Sequence, residues 1–132
     1  MKVLIVDDSR FRRIAKERAL VKAGYEVITA ADGEEGLRLA QEHKPDLVVL
    51  DMLLPRLSGP EVLRALRKDP ETASIPVMVL TSLPQSNQEK LIKEGATSYF
   101  AKSELMVDKG PALFVETVEK LLTKVKAQAA NC

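Results

Sequence analysis

Two adjacent acids, Asp7 and Asp8, close the apolar run Val3-Leu4-Ile5-Val6, and a third, Asp51, closes Leu47-Val48-Val49-Leu50. Each run has the length and composition of a strand buried on both faces of a parallel sheet. With the two strands side by side, the three carboxylates meet at one sheet edge. Crowded like charges repel and are costly to desolvate, so the arrangement calls for something that neutralises it. A hard divalent cation held by oxygen ligands answers that need, and Mg²⁺ fits best. One acid after a strand reads as a solvated loop; three acids on two apolar strands do not.

The elements that would position these acids follow from periodicity. Apolar strands alternate five times with amphipathic helical stretches, the pattern of a parallel α/β sheet. The strands are expected at Lys2–Val6, Glu26–Ala30, Leu47–Leu50, Val77–Leu80 and Ser98–Ala101. The first, third and fourth are almost purely apolar, whereas the second and fifth carry Glu26, Thr29 and Ser98. Apolar strands belong inside a parallel sheet and mixed ones at its edges. The order 2-1-3-4-5 satisfies this, giving a flavodoxin-like (βα)5 doubly wound parallel sheet. In the first helix Phe11, Ile14, Ala15, Ala19 and Ala23 recur at helical spacing, and Gly24 can stop it. Capping-box spacing opens three later helices, at Asp32 with Glu35, Ser58 with Glu61 and Ser86 with Glu89. Gly95 can end the fourth helix. The last helix opens near Pro111 and repeats Phe114, Val118, Leu121, Leu122 and Val125 on one face. Residues 1–126 therefore read as one domain and 127–132 as a frayed tail.

In a sheet of this order ligands bind beyond the carboxyl ends of the strands, where the winding reverses between the first and third. Asp7, Asp8 and Asp51 lie there. Thr81 ends the fourth strand and Lys102 the fifth. Alone, Thr81 is a cap and Lys102 a solvated lysine; together with the acids they form a set suited to phosphoryl transfer. Such a reaction spreads charge over three equatorial oxygens, and catalysis is mostly positioning and neutralisation. A cation on Asp7 and Asp8 would take one oxygen, Lys102 a second and Thr81 a third, with Asp51 attacking phosphorus. No histidine or cysteine is needed. His43 reads as solvent-facing, and Met52, Met78 and Met106 as core or loop filler. Arg10, Arg12 and Arg13 form a basic patch, read equally as a solvated helix face or a partner contact.

The chain has 132 residues, 45% hydrophobic and 30% charged, the balance of one soluble globular domain. A net charge of +1 gives no electrostatic case for nucleic acid or a membrane surface. The first apolar run is too short for a secretory signal or a membrane span. The single cysteine is Cys132, which excludes an internal disulfide and fits a reducing, cytoplasmic setting.

Val6-Asp7-Asp8-Ser9, Asp51 with Pro55 and Gly59 after it, Leu80-Thr81-Ser82, and Tyr99 three residues before Lys102 stand in order, each at a strand end. Over essentially the whole chain this resembles the receiver domain of the two-component response regulators. The resemblance implies a phosphoprotein rather than a conventional enzyme, promoting its own phosphorylation and dephosphorylation. It implies Asp51 as phosphoacceptor, and Mg²⁺ held by Asp7, Asp8, Asp51 and the backbone carbonyl of Leu53. It also implies that Thr81 and Lys102 grip the phosphoryl group and that Tyr99 is the switch aromatic. The implied donor is a histidine kinase or phosphotransfer protein. The implied output surface is the face of the fourth helix, fifth strand and last helix, read by a protein target.

Two features depart from the family. Ser103 follows Lys102 where a cis proline is usual, and a trans Lys102–Ser103 bond is expected, since a cis bond before a non-proline residue costs about 2.5–4 kcal/mol. Leu53 and Leu83 stand where polar side chains often orient a hydrolytic water, so a long-lived phosphorylated form is expected. No effector domain is legible, so output through a protein partner is expected. The alternatives are a DNA-binding regulator of which this is one part, and a scaffold that binds partners without phosphorylation. A phosphatase of another α/β family would want an acid at the Leu53 position.

Overall fold

Five apolar segments pair side by side in the computed structural model, which describes residues 1–51, 59–81, 98–101 and 111–130. They are β1 (Lys2–Val6), β2 (Glu26–Ala30), β3 (Leu47–Asp51), β4 (Val77–Thr81) and β5 (Ser98–Ala101), all parallel, in the order β2-β1-β3-β4-β5. The order inferred from strand polarity is therefore the observed one. β3 and β4 each run one residue further than expected, taking Asp51 and Thr81 into the ladder. β1 and β3 are buried throughout apart from Lys2, whereas the edge strand β2 is mostly half-exposed.

Alternation along the strands divides the core in two. Leu4, Val6, Val48 and Leu50 face α2 (Gly33–His43) and α3 (Gly59–Lys68), packing on Ala40, Val62, Leu63 and Leu66. Val3, Ile5, Leu47 and Val49 face the other way, onto Ala19 and Leu20 of α1 (Arg10–Lys22) and onto Phe114, Val118, Leu121 and Leu122 of the C-terminal helix Pro111–Ala130. The register Val3↔Leu47 through Val6↔Leu50 makes Asp7 and Asp51 the next residues in line. Parity then places both acids on the face that α1 covers.

Local chemistry fixes the helix ends. Ser9 caps α1, its hydroxyl accepting from the Arg12 N–H. Gly24, with φ +99, ends α1 in a left-handed turn that an L side chain rarely adopts. Gly24 N–H then donates to Val21 O and Tyr25 N–H to Leu20 O, both at 3.0 Å, completing a Schellman motif. Asp32 caps α2 by accepting from Glu35 N–H at 2.8 Å, while the Glu35 carboxylate accepts from Ala31 N–H. The reciprocal partner of the Asp32–Glu35 box is thus one residue upstream of the cap. Gly36 lets α2 lie against β1, because a Cβ there would sit 2.8 Å from Val6 Cγ2.

One expectation needs correction. Phe11 is 74% exposed and Ala23 is exposed, so neither belongs to the buried face of α1. That face runs through Lys16, Ala19 and Leu20. Phe11 lies in the first turn of the helix, ahead of the buried stretch that begins at Lys16. At the other end, the C-terminal helix runs to Ala130. Ala127, Gln128, Ala129 and Ala130 are strong helix formers and need no apolar stripe to propagate a helix already started. The expected helix from Ser86 to Gly95, the cap Ser58, and residues Met52, Leu53, Leu83, Lys102, Ser103 and Met106 lie outside the described residues. His43 is exposed and Met78 fully buried, as expected.

Candidate functional site

The carboxyl edge of the sheet gathers the three acids. One oxygen from each of Asp7, Asp8 and Asp51 lies within 4.8 Å of the others. Asp7 and Asp51 are buried, and Asp8 is exposed. Asp7 and Asp51 continue the alternation of β1 and β3 on the face that α1 covers, whereas Asp8 lies one residue further on, in a bend past the end of β1. Thr81 ends β4 and pairs with Ala101, the last residue of β5, so the backbone brings it to the same edge. Tyr99 pairs with Val79 two residues further inside. The Thr81 and Tyr99 side chains, and Lys102, lie outside the described residues.

Arg12 and Lys16 of α1 enter this site, and sequence reasoning did not place them there. The Lys16 ammonium donates to Asp7 Oδ2 at 2.8 Å, with both side chains almost wholly buried. Arg12 Nη2 stands 3.3 Å from Asp7 Oδ1, 3.7 Å from Asp8 Oδ1 and 3.6 Å from Asp51 Oδ2, so one guanidinium is shared among all three acids. Arg12 Nε donates to Asp7 Oδ2 at 3.4 Å and Ser9 N–H to Asp7 Oδ1 at 2.9 Å. Arg13 caps the end of β1, donating to the Asp7 carbonyl at 2.9 Å. The patch of Arg10, Arg12 and Arg13 is thus divided, with two of its members committed inward. The signal available in the sequence was Lys16 itself. It lies three and four residues before Ala19 and Leu20, on the apolar stripe, where a lysine needs a buried acid as partner.

These contacts decide the state of Asp7. Burial pushes its carboxyl up, but the Lys16 charge, with hydrogen bonds from Lys16, Ser9 N–H and Arg12, outweighs burial and holds it below its ordinary value. The hydrogen bond to Asp7 in turn pushes the Arg12 guanidinium up. All of these donors favour the ionised form of Asp7. The donor set is hard oxygen only, which is what Mg²⁺ takes; Asp51 is the last residue of β3, and Asp7 and Asp8 directly follow β1. The residues present therefore fit that ion.

Comparison with known proteins agrees with this geometry. A family model described as "Response regulator receiver domain" matches residues 3–108. The polar-differentiation response regulator DivK of Brucella anthropi is 33% identical over 120 residues, covering 91% of this chain and 94% of that protein. The alkaline phosphatase synthesis transcriptional regulatory protein PhoP of Bacillus subtilis is 40% identical over 102 residues, 76% of this chain but 42% of that protein. Among solved structures, the chemotaxis protein CheY4 of Vibrio cholerae superposes with a TM-score of 0.80 at 33% identity, covering 91% of this chain and 97% of that one. Strand order, acid edge and sequence matches converge: the chain belongs to the response regulator receiver domain family of two-component signalling.

Proposed function

We propose that Asp51 accepts a phosphoryl group from a histidine kinase or phosphotransfer protein, in a cytoplasmic phosphorelay, with Mg²⁺ at the acid edge. The observation that carries this reading is the placement of Asp51, buried at the end of β3 with a carboxylate oxygen within 4.8 Å of oxygens from Asp7 and Asp8. An Asp51 oxygen attacks phosphorus in line with the phosphorus–nitrogen bond of the donor. An acyl phosphate forms as that bond breaks, and the released imidazole takes up a proton. Asp7, Asp8, Asp51 and the Leu53 carbonyl would hold Mg²⁺, which when bound would neutralise charge on the transferring oxygens. Ser9 N–H and Lys16 orient Asp7, keeping it ionised and fixed as a ligand. Thr81 and Lys102 take the remaining phosphoryl oxygens. Thr81 drawn toward the phosphate, and Tyr99 following it, would alter the face of the fourth helix, fifth strand and last helix that a protein target reads. The working unit is residues 1–126.

Intact-mass measurement after incubation with acetyl phosphate and Mg²⁺ tests the reading. One added phosphoryl group is expected on the wild type and none on Asp51→Asn. Labelling that survives Asp51→Asn would remove Asp51 from this role, and an unlabelled wild type would favour a scaffold that works without phosphorylation.

A further inference from the structure

Arg12 and Lys16 reach the same acids in different ways. The Lys16 ammonium sits at 2.8 Å from a single oxygen, with a side chain only 6% exposed. That is the distance of a well-formed charged hydrogen bond. The Arg12 guanidinium has a side chain 47% exposed and no contact to the acids shorter than 3.3 Å. An arginine built to pair with one carboxylate does so in parallel bonds of about 2.7–2.9 Å. Arg12 is spread over three acids and optimised for none.

The acceptor sites of Asp7 give the same division. Each of its oxygens carries one donor that stays: Lys16 on Oδ2 and Ser9 N–H on Oδ1. Each also carries one donor from Arg12. Withdrawal of Arg12 would open one acceptor position on each Asp7 oxygen and would clear the space facing Asp8 and Asp51. Withdrawal is easy, because nearly half of the side chain already lies in water. Lys16 has no such route.

We propose that Arg12 is a resident counter-cation of the acid cluster, displaced when a divalent cation binds, and that this competition sets the affinity of the site for Mg²⁺. Lys16 remains in place and keeps Asp7 oriented in both states. The inference rests on the reading of the acids as an Mg²⁺ site. A site blocked by its own side chain binds with an affinity reduced by the fraction of molecules that are open, so an arginine docked in nine molecules of ten weakens binding about tenfold. The fixed Lys16 and the exchangeable Arg12 also let the acids fold together before any metal arrives.

The test is calorimetric titration of Mg²⁺ alone into four proteins: wild type, Arg12→Gln, Arg12→Ala and Arg10→Gln. Arg10 is exposed on the same helix and removes the same charge without vacating the acids. Both Arg12 variants should bind Mg²⁺ about tenfold more tightly than wild type, while Arg10→Gln stays within about twofold. In parallel, the NMR signal of the Arg12 side-chain Nε–H in wild type should shift and exchange faster with water as Mg²⁺ is added. Equal affinities for Arg12→Gln and Arg10→Gln, or an Arg12 signal unchanged at saturating Mg²⁺, would overturn the displacement. Absence of Mg²⁺ binding by all four proteins would overturn the metal reading together with it, whereas binding by wild type that is insensitive to Arg12 defeats this inference alone.

Discussion

Replacing Lys16 by Met isolates the buried charge pair, because the thioether keeps most of the packing of the lysine stem and deletes only the ammonium. The pair is short, 2.8 Å, and both side chains are almost fully removed from water. Taking away one member of such a pair costs about 3–5 kcal/mol, since the other charge stays buried without compensation. Asp7 keeps the Ser9 N–H at 2.9 Å and the longer contacts to Arg12, so the loss should fall at roughly 2–4 kcal/mol. Urea unfolding at pH 7 would read this as a midpoint lowered by about 1–2 M, given a slope of about 1–3 kcal/mol per molar. Acidification adds a signature that a packing defect lacks. Without Lys16 the burial of Asp7 is opposed by fewer charges, so the deficit against wild type should shrink as the pH falls and Asp7 takes a proton. The double variant Asp7→Asn, Lys16→Met should lose less than the sum of the single variants, as expected for residues in contact. A loss below about 1 kcal/mol, or a deficit independent of pH, would refute the account of Lys16 as the charge that allows Asp7 to be buried.

Gly36→Ala should destabilise by about 1–2 kcal/mol in urea unfolding, because the new methyl meets Val6 Cγ2 at 2.8 Å and the overpacking exceeds the helix-propensity gain; unchanged stability would show that α2 can shift. Thr72→Val should cost about 1–2 kcal/mol, since the buried Thr72 hydroxyl donates to the Leu66 carbonyl at 2.7 Å at the end of α3; a neutral result would mean that water replaces the hydroxyl. In metal-free wild type, Asp7 has its carboxyl held below the ordinary 3.8 despite burial, so its contribution is complete above that value and lost as the pH falls through the lower folded value. Urea midpoints measured from pH 6 to pH 2 should therefore decline more steeply below pH 4 in wild type than in Asp7→Asn.

The backbone of this protein was legible because the information is local. Five runs of four or five residues, their polarity and their capping residues give the strands, the order and the helix starts without any knowledge of contacts. The acid edge was legible for the same reason, since a side-chain period of two fixes which face each strand-end residue takes. Arg12 was not legible, because a cation on a helix face reads as solvated until the acid it meets is known, and Lys16 left only the signal of a lysine on an apolar stripe. Lys16 interrupts an apolar stripe in the sequence and completes it in space, its stem buried beside Ala19 and Leu20 and its ammonium on Asp7. Phe11 erred in the opposite direction. Its apolar side chain matched the stripe by spacing, yet it is exposed, because spacing marks a helix face and carries no record of how far along it the core extends.

One face of one sheet therefore carries two demands, which α1 meets with two residues one turn apart. Burying Asp7 and Asp51 at neighbouring strand ends gathers oxygen ligands at one edge and opposes folding, because two carboxylates under a helix repel each other and have lost their water. A permanent cation at full strength would solve the folding problem and close the site to any ligand. A fully exposed one would leave the site open and the carboxylates uncompensated. Lys16, deep on the stripe, is fixed on the acid that only needs orienting; Arg12, one turn nearer the edge, lies across all three acids with half its length in solvent. Depth along α1 thus sorts structural charge from exchangeable charge, and the separation needs nothing more than the rise of one helical turn.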